Sequence, residues 1–301
     1  MARRTPSGTS VGPSRTAQLM AVQRGLESSR PAGTRLFGDP IASQFVSLPW
    51  RVALWGARWA VARRTIETIY DLLGGPGPRA SAIARTKLID DLICEASSSI
   101  SQLVILGAGY DARAFRLDCL SKCAVHEVDH PNTQAHARAI LRQAGTPTAA
   151  RLEFTAVDFE RDDLRDALIT SGYQPSRRTM FLWEGVTQYL PDEAVEKTFS
   201  AIRRAARKDD SLIFTYVDEA VLHGDHDRFP EAAKWLRGTA KRGEPWIFGL
   251  PPSGLRQYLL TRGFSLVSDL SAREAGERYF PQQGRLDRGS DLYHIATTTV
   301  S

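Results

Sequence analysis

Asp111, Asp129, Asp158 and Glu184 each stand just after a short apolar run, and the first of them follows a glycine turn. The stretch from Gln102 to Leu117 reads QLVILGAGYDARAFRL. Its apolar start empties into Gly107, Ala108, Gly109, Tyr110 and Asp111, and a helix-compatible segment follows. A buried strand, a glycine turn and a helix start form the usual cradle for a nucleotide-like cofactor. The glycines let backbone approach a ligand that a side chain would keep away.

Two cofactor classes compete for that cradle. Gly107-x-Gly109-x-x-Ala112 fits the dinucleotide fingerprint, with Asp129 twenty residues past Gly109 to hold ribose hydroxyls. An NAD-dependent oxidoreductase is therefore an open reading of these residues. Three features weigh against it. Asp111 within the turn would repel a pyrophosphate at the helix start and attract an amino group. Asp158-Phe159 closes the third run (LEFTAVDFE) and suits an adenine, the acid taking the exocyclic amine and the ring packing on its face. Trp183-Glu184-Gly185 brings a fourth acid to the same edge. Acids at four successive strand ends suit a ligand with a positive end and no phosphate. S-adenosyl-L-methionine, with ribose, adenine, sulfonium and ammonium, is such a ligand.

The elements that must carry these residues alternate. Strands are expected at 103–106, 124–128, 152–157, 180–183, 211–217, 264–268 and 292–298. Helices are expected between them at 112–119, 131–143, 162–169, 191–207 and 253–261. Strand and helix in turn predict an α/β fold: a Rossmann-like, seven-stranded, mostly parallel sheet with helices on both faces. The segment 270–291, rich in Gly, Arg and polar residues, suits a hairpin-like return, so the last strand is expected to run antiparallel. Residues 1–15 read as a disordered basic tail. Residues 16–100 read as a helical segment capping the site, with helices at 16–29, 49–73 and 80–96. Residues 101–301 read as the core. The excursion at about 218–262, with a helical piece at 230–242, is too long for an ordinary crossover and reads as a lid.

Composition narrows the partners. The net charge is +5, but 33 of the 39 basic residues are Arg and they are scattered, so charge alone does not argue for nucleic acid. No window approaches the ~18 apolar residues of a membrane span. The basic N-terminus lacks the apolar region of a secretory signal. Cys94, Cys119 and Cys123 make no even framework and no zinc spacing, and read as structural thiols in a reducing cytoplasm. The expected partners are a small-molecule acceptor, with no nucleic acid, membrane or metal; monomer and homodimer both stay open.

The motifs ARTKLIDDLI, VILGAGYDARAFRL, VHEVDHP, AVDF, WEGVTQYLP and GEPWIFGLPPSGLRQYLLTRGF together resemble class I methyltransferases. Among these they resemble the leucine carboxyl methyltransferase-like family, with its many actinobacterial members. The resemblance implies an S-adenosyl-L-methionine-dependent O-methyltransferase acting on a carboxylate or hydroxyl. It implies that Gly107, with Gly109 and Asp111, forms the turn against the methionine moiety, and that Arg85 pairs with the cofactor carboxylate. Asp129 would hold the ribose, and Asp158 and Phe159 the adenine. Glu184 would sit by the amino-acid end, and Tyr189 beside the substrate. Tyr189, Glu184 and Arg85 are then the candidate catalytic residues. A carboxylate acceptor needs only orientation, by Arg85 or Tyr189. A hydroxyl would be helped by a base, for which Glu184 and the His130 region are candidates. A module that binds the cofactor without turnover is the remaining alternative.

Overall fold

The computed structural model describes residues 15–74, 77–145, 147–158, 161–225 and 227–301. The expected tail falls almost wholly outside them. Seven strands form one sheet: β1 (Gln102–Leu106), β2 (Ala124–Asp129), β3 (Arg151–Ala156), β4 (Thr179–Trp183), β5 (Ser211–Val217), β6 (Phe264–Ser271) and β7 (Tyr293–Val300). Their order is β3-β2-β1-β4-β5-β7-β6. All neighbouring pairs are parallel except those of β7, which runs antiparallel to both β5 and β6. The order reverses beside β1, so the crevice belongs at the C-terminal ends of β1 and β4.

β1 and β4 are buried throughout, and apolar after their first residues, because helices cover both faces. Successive side chains point to opposite sides. Leu103 and Ile105 pack with Ile83, Leu88 and Ile93 of α4 (Pro78–Ala96). Val104 and Leu106 share a core with Val195, Phe199 and Ile202 of α8 (Asp192–Ala205). A third cluster lies over the glycine turn. There Ala21, Val22 and Leu26 of α1 (Arg15–Ser28) meet Phe45, Tyr110 and Leu141. Tyr110 stacks on Phe45 with centroids 4.6 Å apart, and Arg24 of α1 donates to the Tyr110 carbonyl at 2.6 Å.

Three expectations are corrected. The helix expected at 49–73 is two helices, α2 (Leu48–Gly56) and α3 (Ala60–Gly74). The chain breaks at Gly56, the poorest helix former in that stretch apart from proline. The 270–291 return contains α11 (Ala272–Tyr279). Ser271 accepts the Glu274 N–H while Glu274 accepts the Ser271 N–H, a capping box that starts this helix where β6 stops. Finally, Cys94 and Cys119 are not free thiols. They form a disulfide between α4 and the turn at Asp118–Leu120, with Cα atoms 5.5 Å apart. Only tertiary approach brings them together, since 25 residues separate them. Cys123 is free and buried. Free thiols therefore no longer argue for a reducing compartment.

The helix after the glycine turn, α5 (Arg113–Arg116), is shorter than expected because Leu117 is extended. The remaining helices are α6 (Pro131–Ala144), α7 (Leu164–Thr170), α9 (Ala232–Lys241) and α10 (Leu255–Leu260). The excursion carrying α9 returns along the sheet edge, where the Ile247 N–H donates to Gln188 O at 2.8 Å and the Leu250 N–H to Val217 O at 3.0 Å. No helix among the described residues is long and apolar enough to cross a membrane.

Candidate active site

The chain turns sharply after β1 because Gly107 and Gly109 both adopt positive φ, +63° and +55°. A Cβ on Gly107 would stand 2.6 Å from Val186 Cγ2, so only glycine fits between the turn and the segment after β4. Asp129, at the end of β2, secures the turn. Its Oδ2 accepts the Gly109 N–H at 2.6 Å and its Oδ1 the His130 N–H at 2.7 Å. Burial pushes this carboxyl upward, and the two backbone donors pull it part of the way back.

A closed ion-pair chain lies next to the turn. Glu184 receives Arg85 Nε at 2.7 Å on one oxygen and Arg113 Nη1 at 2.8 Å on the other. Arg113 also meets Asp111, at 2.5 Å, and Asp90, at 2.9 Å. Arg116 then grips Asp90 with two nitrogens. Three arginines thus face three acids, and Arg85, Arg113 and Asp90 are buried. Burial alone would raise Glu184, yet the Arg113 and Arg85 guanidiniums hold its carboxyl at about 2. Arg113 is held well above its ordinary value: burial works against its charge, but Asp111, Glu184 and Asp90 outweigh that.

Arg113 is the residue that the motif reading passed over. The sequence assigns Asp111 to a ligand's amino group and Glu184 to its amino-acid end, and the structure joins both to this guanidinium. The available signal was DARAFRL itself, where two arginines three apart punctuate an apolar segment that must be buried.

Two cavities meet here. One, of about 350 Å³, is lined by Gly107, Gly109, Asp111, Asp129, Arg85 and Glu184, with Tyr110 and Thr133. The other, of about 480 Å³, is walled by Leu19, Trp50, Ile66, Tyr70, Trp235 and Trp246. Thr16, Met20, Arg85, Gly185 and Tyr189 line both and form the junction. Of the sequence-derived site residues, seven line the first cavity, Tyr189 among them at the junction in the turn Thr187–Tyr189. Burial pushes the Tyr189 phenol upward. Asp158 sits past β3, where Val157 donates to the Asp129 carbonyl at 3.0 Å. It does not line the cavity, and its own N–H goes to Asp162 at 2.8 Å. Phe159 lies outside the described residues. His130 lines neither cavity; its Nδ1 accepts the Asn132 N–H at 3.3 Å and caps α6.

The chemistry of this donor set fits S-adenosyl-L-methionine. Arg85 spends Nε on Glu184, and among the described residues its Nη2 meets only the Met20 sulfur, at 3.8 Å, leaving a donor at the junction for a carboxylate. A half-buried Asp129 carboxylate at the end of β2 can accept from hydroxyls. Gly109 leaves its side of the turn open to within 3.7 Å of Ala17.

The fold is that of a methyltransferase. Over the whole length of both chains the protein superposes on a solved structure from Thermobifida fusca described as "a putative methyltransferase", with a TM-score of 0.60 at 18% identity. It also superposes on a DUF574 family protein from Streptomyces avermitilis, with a TM-score of 0.59 at 13% identity, covering 96% and 98% of the two chains. Identities this low speak for the fold alone. The sequence goes further. The profile of the leucine carboxyl methyltransferase family matches residues 17–203. A Mycolicibacterium gilvum protein named "Putative S-adenosyl-L-methionine-dependent methyltransferase" is 32% identical over 217 residues, 70% of this chain and 69% of that one. A similarly named Streptomyces avermitilis protein is 33% identical over 244 residues, 78% and 81% of the two chains. The chain belongs to the leucine carboxyl methyltransferase family and is an S-adenosyl-L-methionine-dependent methyltransferase, which sets the dinucleotide reading aside.

Proposed function

We propose that this enzyme methylates a carboxylate oxygen of a small, largely apolar acid. One observation carries the choice of oxygen. Among the described residues no aspartate, glutamate or histidine lines the 480 Å³ cavity; beside the junction Glu244 accepts the Thr16 N–H at 3.1 Å, and Glu184 is ion-paired and held at about 2. Such a carboxylate is a poor base at neutral pH, and His130 faces neither cavity. A hydroxyl acceptor would keep its proton here; a carboxylate arrives without one. The cavity's size and aromatic walls suit a small molecule.

S-adenosyl-L-methionine, when bound, supplies a methyl group already activated by its sulfonium. Arg85 would hold its carboxylate from the junction, and Asp129 its ribose. Arg113 keeps Arg85 and Glu184 in one arrangement, so that Arg85 Nη2 is aimed before any ligand enters. The Tyr189 hydroxyl, protonated at neutral pH, would donate to one acceptor oxygen and leave the other to react. α1, α3 and α9 wall the cavity and exclude water from the junction, where alignment of nucleophile and methyl supplies most of the rate.

The test is the stability of the product. With labelled S-adenosyl-L-methionine and a panel of aromatic acids and matched alcohols, label should enter the acids alone, as a methyl ester that mild alkali releases as methanol. Alkali-stable label in the alcohols would overturn the carboxylate assignment and restore the hydroxyl alternative.

A further inference from the structure

Away from the junction, the acceptor cavity holds a cation that meets no acid among the described residues. Arg242 follows α9 and lines this cavity but not the first, and no described carboxylate lines it. Its Nε is buried and has no hydrogen-bond partner among the described residues. Arg79, Arg85, Arg113, Arg116 and Arg285 each meet a carboxylate, and Arg63, whose Nε is also unpartnered, meets the Ala57 carbonyl and lines neither cavity. An unsatisfied buried guanidinium nitrogen inside a ligand cavity calls for a partner that the chain does not provide.

Tyr70 stands next to Arg242. Its hydroxyl accepts Gln23 Nε2 at 2.8 Å, and its own proton meets no acceptor among the described residues. Burial pushes this phenol up to about 12, with Arg242 pulling against the shift, so it keeps its proton at neutral pH and can donate. Lys234, exposed in the first turn of α9 at its other end, lines the same cavity and donates to the Leu72 carbonyl at 2.5 Å. Trp50, Ile66, Trp235 and Trp246 supply apolar wall to the same cavity.

We propose that Arg242, together with the Tyr70 hydroxyl, binds a second acidic group of the acceptor, remote from the oxygen that takes the methyl. The acceptor is then an apolar or aromatic molecule with an acid at each end, and Arg242 is its specificity residue. This rests on the carboxylate reading above and names the substrate class more closely.

Binding, rather than turnover, tests it. The probes are the monomethyl and dimethyl esters of 2,6-naphthalenedicarboxylate, which differ by one negative charge on one aromatic body. Calorimetry on the full chain, with and without S-adenosyl-L-homocysteine, should show the monoester binding about tenfold more tightly than the diester. Arg242→Gln should bring the ratio to within about twofold of one while leaving diester binding and S-adenosyl-L-homocysteine affinity unchanged. Arg242→Lys should keep part of the preference, and Tyr70→Phe should lower it. A wild-type ratio near one overturns the inference whatever the variants do. So does a preference that survives Arg242→Gln, since the acid would then be held at the junction. Loss of S-adenosyl-L-homocysteine binding by the wild type would strike the donor site instead, and is read separately.

Discussion

Asp129 does two jobs with one carboxylate: it holds the Gly109 N–H and faces the cavity. Asp129→Ala should therefore free the turn as well as remove a ribose acceptor, and weaken S-adenosyl-L-homocysteine binding by at least about tenfold in calorimetry. Tyr189→Phe should leave that binding unchanged and lower kcat. Unchanged affinity in the Asp129 variant would contradict the assignment. Glu127, two residues earlier on β2, offers a pH test. It is buried, its Oε1 has no partner among the described residues, and burial, then Asp111 and Asp129, push its carboxyl well above the ordinary range. A carboxyl raised in the folded state costs stability as pH climbs above its unfolded value, because the unfolded chain then ionises more readily. Glu127→Gln should therefore stabilise the protein at pH 8 relative to pH 5, read as urea midpoints. Glu184 has the opposite sign: its contribution is present above its unfolded value and is lost as pH falls toward 2.

Among the elements, α11 shows how a short helix can depend on its first residue. It has eight residues, and the Ser271–Glu274 capping box satisfies donors that the strand before it leaves exposed. Ser271→Ala should cost about 1 kcal/mol in chemical denaturation. Because α11 packs on α4, which carries Arg85, the same variant should loosen S-adenosyl-L-homocysteine binding slightly. The signal S-A-R-E was present in the sequence, but the Gly and Arg content around it reads as loop. The long Trp-bearing helix divides for a related reason: its apolar periodicity runs across Gly56 and hides the break that this glycine makes.

Across the whole molecule, the N-terminal helices are fastened to the sheet by buried charge. Arg285, near the chain's last strand, pairs with both oxygens of Glu27 on α1 at 2.8 and 2.9 Å, and Glu27 also accepts the Leu36 N–H at 2.7 Å. Arg30 to Glu67, at 2.5 Å, and Arg79 to Asp71 and Asp287, at 2.8 and 2.9 Å, extend this cluster to α3 and α4. Removing Arg285 would leave the buried Glu27 carboxylate with Arg30, at 3.3 Å, as its remaining cation. Arg285→Ala should cost about 3–5 kcal/mol in urea denaturation. Since α1 walls both cavities, it should also weaken ligand binding at temperatures where the core remains folded.

The glycine turn, the acids behind each strand, the seven strands and the antiparallel last one were legible in the residues themselves. Each depends on local terms: burial of an apolar run, the φ that only glycine tolerates, and the alternation that forces a parallel sheet. Arg113 as partner of Asp111 and Glu184, the bond between Cys94 and Cys119, and Arg242 without an acid in an apolar cavity were not legible there. Each is a relation between residues far apart in the chain, and its energy exists only once folding has removed water from between them and set the dielectric in which charges meet or fail to meet.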